Sequence, residues 1–137
     1  YAENIDHAQN ADIKVIKKTL DHQLKQLTAA RSLGVTVALG TDAGSLGVLH
    51  GESMVEEMKL FMKAGYSLSE TVRCVCYNGA RLLGLKDIGL LQKGKAASFI
   101  VTRGAPAQLP RKLSYLEAMY VDGAPSSMYL KNPVKHV

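Results

Sequence analysis

Several features that mark whole classes of proteins are missing from this chain of 137 residues. There is no tryptophan, and the tyrosines do not alternate with a basic stripe, so the net charge of +5 is a weak signal for nucleic-acid binding. No apolar run approaches the roughly 18 residues that a membrane-spanning helix needs. The first residues also lack the basic and apolar regions of a signal peptide. We therefore expect neither a nucleic-acid nor a membrane partner.

Cysteine is scarce as well. Cys74 and Cys76 are the two cysteines of the chain, and positions i and i+2 of a helix do not face each other. We expect no disulfide between them, and no CxxC motif exists. Unpaired thiols favour a reducing, cytoplasmic location.

Helical patterns dominate the first part of the chain. An apolar content of 47% with 21% charged residues is typical of a globular protein. Apolar residues at spacings of three and four predict an amphipathic helix over 12–33 that ends at Gly34; they are Ile13, Ile16, Leu20, Leu24 and Leu27. Ser53–Glu56 and Ser67–Glu70 each resemble a capping box, and the helices that they open are predicted to end near Gly65 and Gly84.

Short strands are predicted elsewhere. Residues 35–39 (VTVAL) are apolar or β-branched and predict a buried strand. Later patterns predict short strands at 88–91 and 97–102 around a turn, a proline-containing loop over 104–114, and a strand at 117–121. Asp122-Gly123 favours a hairpin turn, with a return strand at 127–130. Residues 12–84 thus have an α/β pattern, and residues 86–137 are mostly short β.

Asp42 is the strongest candidate for a functional residue. It follows the predicted buried strand directly, and the carboxyl ends of barrel strands form the active-site face of α/β barrels. The alternative is a carboxylate that caps its own glycine-rich turn. His50 could contact substrate or support the site, or it could help to cap the next helix. Thr41 could orient Asp42, or it could simply pack at the strand end.

Two other kinds of site are not favoured in this loop. Ser45 has no nearby His-Asp partners, so it is not expected to be a nucleophile. The glycines at 40, 44 and 47 are not followed by the Lys-Ser/Thr pair of a phosphate-binding loop.

Four ordered segments resemble a known family. Together with a closing Tyr120-Val-Asp-Gly123, they span roughly residues 12–123. They are Gly40-Thr-Asp-Ala-Gly44 with His50-Gly51, then Ala64–Glu70, Asn78–Leu85, and Ile88–Lys95 leading into Ala97–Thr102. In this order they are similar to the C-terminal part of a metal-dependent amidohydrolase of the imidazolonepropionase-like group. The start at Tyr1 rather than Met is typical of a processed product or a fragment.

The resemblance implies an α/β fold that is the last part of a TIM-like (β/α)8 barrel, joined to the C-terminal share of a small β-sandwich domain. Residues 35–40 would be the eighth barrel strand, residues 1–85 the end of the barrel and residues 86–137 the sandwich share. Such enzymes hold one or two divalent metals, often zinc. The strand-eight Asp, here Asp42, would be a metal ligand and would accept a proton from the metal-bound water.

The other ligands of the family have no counterpart here. No His-x-His pair exists, and the four histidines are too scattered to rebuild the family's set. We therefore expect a parent hydrolase that cleaves a C–N bond of a small amide or cyclic amide. The 137 residues alone are expected to be inactive, because they possess no complete metal site. We also expect that the chain can form a homo-oligomer. Deaminase, dipeptidase and imidazolone-ring hydrolase activities all stay open. The alternative is a non-catalytic structural module that self-associates.

Overall fold

The computed structural model describes residues 10–127. In chain order the helices are α1 (Asn10–Ser32), α2 (Glu52–Lys63), α3 (Leu68–Arg73), a π-helical turn (Cys74–Asn78) and α4 (Gly79–Leu82). Three strands follow, with 3₁₀ turns at Pro106–Gln108 and Arg111–Ser114: β1 (Phe99–Thr102), β2 (Leu116–Val121) and β3 (Ala124–Pro125). Over these residues, no helix combines the length and the apolar character needed to cross a membrane.

Helix α1 confirms the first predicted helix, although only its second half is packed. Leu24 is buried, whereas Ile16 is 63% exposed. The helix ends as predicted: Gly34 has a positive φ of 70°, and the Val35 N–H donates to the Ala30 carbonyl at 2.9 Å. This is the Schellman arrangement that glycine favours.

The two predicted capping boxes have different outcomes. Ser67 Oγ accepts from the Glu70 N–H, and the Glu70 carboxylate accepts from the Ser67 N–H, so the box at the start of α3 is confirmed. The box at Ser53 is wrong, because α2 begins at Glu52 with Gly51 as its N-cap. Ser53 Oγ instead accepts a hydrogen bond from the Leu49 N–H at 2.9 Å, which closes the turn before the helix.

The core lies between α1, α2 and α3. It is a cluster of seven buried residues: Leu24, Leu39, Met58, Phe61, Ala64, Tyr66 and Cys74. Thr28 Oγ1 donates to the Ala64 carbonyl at 2.9 Å and so joins α1 to the end of α2. A two-pronged ion pair between Arg31 and Glu70, at 3.0 and 3.2 Å, joins α1 to α3 on the surface.

The segment 35–42 is not a strand in this structure, which corrects the expectation of a buried strand at 35–39. The place of residues 35–40 as the eighth barrel strand of a parent enzyme stays a prediction. A parallel strand exists only where neighbouring strands take its hydrogen bonds. Among the described residues, the one parallel contact is an isolated bridge between Ala43 and Ser45. Leu39 is nevertheless buried in the core, as the apolar pattern predicted.

The β part is a single antiparallel sheet in the order β1-β2-β3. Phe99 faces Tyr120 across β1 and β2, and their rings stack at 4.7 Å. The Asp122-Gly123 turn is confirmed, with φ values of 50° and 81° that are typical of a type I′ hairpin. The return strand is at Ala124–Pro125 rather than at 127–130, and residues 128–130 lie outside the described residues.

The strand predicted over 88–91 is also wrong. These residues form an irregular segment that packs against the helices, and Gly89 lies directly on the Cys76 carbonyl and the Ala80 side chain. Strand β1 begins at Phe99, two residues later than predicted. The described residues thus combine a helical layer with one small sheet, and a second sandwich sheet is not among them. The division at residues 85 and 86 stays a prediction.

Candidate functional site

Asp42 lies in an exposed loop that connects the buried Leu39 to α2. Its backbone has a positive φ of 51°, a conformation in which aspartate is several-fold enriched among non-glycine residues. Ser45 Oγ donates to Asp42 Oδ2 at 3.1 Å, and the Ser45 N–H donates to the Asp42 carbonyl at 3.4 Å. The loop therefore holds the carboxylate through one of its two oxygens.

This contact bears on the alternative in which Asp42 merely caps its own turn. Such a cap would use a backbone N–H as the donor to the carboxylate. Across residues 10–127 the carboxylate accepts from the Ser45 hydroxyl, and no backbone donor to it is found. Ser45 is thus the orienting neighbour that sequence reasoning missed; its position three residues after Asp42 in a turn was the available signal. The Ser45 hydroxyl donates to the Asp42 carboxylate, and the expectation that Ser45 is not a nucleophile stays a prediction.

The His50 side chain lies against the same loop, next to Gly44. Its Nε2 lies 3.9 Å from the position that a Cβ on Gly44 would occupy, so the imidazole sits beside the backbone two residues after Asp42. It does not cap α2, because the N-cap of that helix is Gly51 and makes no side-chain hydrogen bond. His50 is exposed, as Asp42 is, and both groups are accessible from solvent.

Thr41 is half-buried next to Asp42. In the described part of the chain its hydroxyl has no hydrogen bond to the Asp42 carboxylate, and Ser45 occupies that role. The structure therefore brings Asp42, Ser45 and His50 into one loop, whereas the functional assignments of Thr41, Asp42 and His50 stay predictions.

The donor set of this loop does not fit a zinc site by itself. Zinc in proteins takes at least three protein ligands from Cys, His, Asp or Glu. Nowhere in residues 10–127 do three or more such side chains come together. Asp42 and His50 can supply two donors at most, so any metal centre of this kind needs ligands from elsewhere.

Two grooves of the described residues lie away from this loop. One groove is formed by α3 and the irregular segment after α4, with Val72, Arg73 and Cys76 on one side and Leu90 on the other. The Arg73 and Arg81 guanidinium groups both lie over the Tyr77 ring, at 5.0 and 5.6 Å from its centre. Two arginine side chains therefore stack on one tyrosine ring beside this groove, which is separate from the loop that holds Asp42.

Comparison with known proteins gives one consistent result. A family model described as "Amidohydrolase family" matches residues 2–133. Seven chains of solved structures match, among them an amidohydrolase from Thermotoga maritima MSB8 with 26% sequence identity and a TM-score of 0.60. The match covers 74% of this chain and 25% of that one, so the chain corresponds to about a quarter of that structure's length. Among curated proteins, none matches. Because the family model covers nearly all of the residues, this chain belongs to the amidohydrolase family.

Proposed function

We propose that this chain is the C-terminal part of a metal-dependent amidohydrolase of the imidazolonepropionase-like group. The parent enzyme hydrolyses a non-peptide or dipeptide C–N bond in a small amide or cyclic amide, in the cytoplasm, without a nucleic-acid or membrane partner. The supporting observation is an exposed carboxylate, Asp42, on a loop anchored in the core, within a chain that matches the family over residues 2–133.

Asp42 is proposed to serve the parent site in two ways. Its carboxylate is a ligand for one of one or two divalent metals, with zinc as the leading candidate, and it accepts the proton of the attacking water. Carboxylate oxygens are common zinc ligands, and a water whose pKa is lowered to about 7 can give its proton to a carboxylate. His50 and Thr41 are proposed to contact substrate or to support the site.

The remaining ligands must come from residues outside the two donors of this loop, because no third donor joins them in the described residues. The 137 residues alone are therefore expected to be inactive. In the parent enzyme, residues 1–85 would complete a TIM-like barrel and residues 86–137 a β-sandwich. The fact that the chain covers 25% of the matched solved chain supports this arrangement.

The test is Asp42→Asn in the full-length enzyme that carries this chain, assayed with added zinc on dipeptides, cyclic amides and aminated heterocycles. Asparagine keeps the shape of the side chain and tolerates a positive φ, so the change removes the charge, and with it the proposed metal ligand and base, without straining the backbone. Loss of a general base costs about 10²- to 10⁴-fold in turnover.

Asp122→Asn is the matched control. Asp122 is also exposed, has a φ of 50°, and binds a serine hydroxyl through its carboxylate, with 3.2 Å between Ser98 Oγ and Asp122 Oδ1. We expect this variant to keep turnover within a few-fold of the unmodified enzyme. Near-normal turnover of Asp42→Asn would defeat the assignment.

One observation favours the second candidate function, a non-catalytic module that self-associates into a homo-oligomer. Large apolar side chains are strongly exposed at several places, including Leu46 at 98%, Leu33 at 79% and Leu82 at 77%. Exposed apolar groups of this size favour burial against another surface. Sedimentation of the chain at increasing concentration separates the candidates, since a sharp monomer boundary throughout argues against self-association.

A further inference from the structure

Asn78 is a buried amide on the π-helical turn, and its partner belongs to the segment that leads to Asp42. The residue is 9% exposed, and its Nδ2 donates to the Val37 carbonyl at 2.7 Å. The same nitrogen lies 3.9 Å from Cys74 Sγ, one turn earlier in the helix. The amide nitrogen is therefore directed at partners inside the protein.

A second hydrogen bond joins the same two parts of the chain. The Leu39 N–H donates to the Cys74 carbonyl at 3.2 Å. A π-helical turn interrupts the regular i→i+4 ladder and is frequent at functional sites. Here the turn places a main-chain acceptor and a side-chain donor against residues 37–39. We call the Asn78–Val37 and Leu39–Cys74 hydrogen bonds the 37–39 clamp.

We infer that Asn78 is a positioning residue for Asp42, acting through the 37–39 clamp. Leu39 is buried in the core, and three residues further on the backbone reaches the positive φ of Asp42. Within the described part of the chain, residues 35–42 make no strand ladder that could hold the backbone before Asp42. The 37–39 clamp therefore fixes the position of this backbone against the helices. The inference that this matters for catalysis rests on the proposed function, whereas the clamp itself does not.

The position favours a neutral hydrogen-bond donor. The Val37 carbonyl lies in a partly buried position, where an acceptor that loses its donor costs free energy. Burial raises the pKa of the Cys74 thiol, which keeps this second neighbour of Asn78 uncharged at neutral pH. A neutral donor fits this environment, whereas an ionised aspartate would set a charge against the Val37 carbonyl.

The first experiment compares Asn78→Ala with Thr71→Val in the 137-residue chain by amide hydrogen exchange and ¹⁵N relaxation. Thr71 is the matched control because it is fully buried in the preceding helix, and its hydroxyl donates to the main-chain carbonyl of Ser67, the N-cap of that helix. For Asn78→Ala we expect roughly tenfold lower protection of the Leu39 amide, relative to the Phe61 amide in the core, and a lower order parameter at Asp42. Thr71→Val should leave both ratios unchanged.

The second experiment uses Asn78→Asp, which keeps the shape of the side chain. At neutral pH the ionised carboxylate cannot donate, so the Leu39 protection factor should fall as it does in Asn78→Ala. When the pH falls through the pKa of this carboxyl, its O–H can donate to the Val37 carbonyl and protection should recover. A group with a merely space-filling role would show no such step between pH 7 and about 4.

Two outcomes would overturn the inference. The first is Leu39 protection within twofold of the unmodified chain in both Asn78 variants. The second is an equal loss of protection at Phe61 in Asn78→Ala, which would mean general destabilisation. These readouts need neither metal nor substrate, so they are independent of the Asp42→Asn test. If the clamp loosens while Asp42→Asn stays active in the full enzyme, the proposed function fails and the clamp stands.

Discussion

Gly89 offers the sharpest test of how the region after α4 packs on the helices. A Cβ built at this residue would lie 2.7 Å from the Cys76 carbonyl oxygen and 2.9 Å from the Ala80 Cβ. Neither neighbour is the far end of a flexible side chain, since one is helix backbone and the other a Cβ. Gly89 also has a φ of 88°, which a side chain disfavours.

The cost of Gly89→Ala follows from these two effects. A left-handed backbone costs a non-glycine residue about 1–2 kcal/mol. Forcing an extra methyl group into a packed contact costs a further 1–3 kcal/mol or so. We expect the free energy of unfolding to fall by about 3 kcal/mol, because the Cys76 carbonyl cannot move without breaking the helix around it.

Gly84→Ala separates the two effects. Gly84 has a φ of 71°, and a Cβ there would meet nothing within 4 Å. It should therefore show the backbone cost alone, about 1 kcal/mol. Changes in the unfolded chain are common to both substitutions and cancel in the comparison.

Urea unfolding followed by circular dichroism is the assay. With a slope of roughly 1–3 kcal/mol per M of urea, a difference of about 2 kcal/mol separates the two midpoints by about 1 M. Equal midpoints for Gly89→Ala and Gly84→Ala would refute the close contact between residue 89 and the π-helical turn. An altered slope in one variant would instead indicate a changed unfolded state.

Two further predictions concern the start of α3. Ser67→Ala removes the hydroxyl that accepts from the Glu70 N–H, and we expect the same urea assay to show a loss of about 1 kcal/mol, where no loss would contradict the capping role. Hydrogen bonds from the Ser67 backbone, Arg31 and the Ser67 side chain lower the pKa of Glu70 to about 2. Because this folded-state pKa lies below the ordinary value of 4.5, the stabilisation is complete above about pH 5 and is lost as the pH falls towards 2. The stability difference between the unmodified chain and Glu70→Gln should therefore shrink over that range in thermal unfolding, and a constant difference would contradict the ion-pair network.

Local signals predicted the helices well. The stop at Gly34 and the capping box at Ser67 depend on residues within one helical turn of each other, so their geometry is contained in a short stretch of sequence. The Ser53 pattern also resembled a capping box, but the prediction was wrong because α2 begins at Glu52, with Gly51 as its N-cap. The Ser53 hydroxyl oxygen instead accepts a hydrogen bond from the Leu49 N–H.

Strands were predicted less well because their partners are not local. Residues 35–39 have the composition of a buried strand, and Leu39 is buried, but a strand also needs neighbours to pair with. The hairpin at Asp122-Gly123 succeeded since both of its strands and its turn lie within ten residues. The contact of Gly89 with Cys76 could not be predicted, because it joins an irregular segment to a π-helical turn that no periodicity marks.

Asp42 and Asp122 show the same distinction between local and distant causes at the site itself. Both have a φ near 50° and both bind a serine hydroxyl. The conformation of Asp122 follows from a hairpin turn between paired strands, so it is set locally. Within residues 10–127, Asp42 has no such strands around it, and a left-handed residue persists only where its surroundings hold it. Its surroundings are the Ser45 hydrogen bond and the anchored residues 37–39. Loosening those residues should therefore move the amide resonance of Asp42 and leave that of Asp122 in place, which makes Asp122 the internal reference for any perturbation of the loop that holds Asp42.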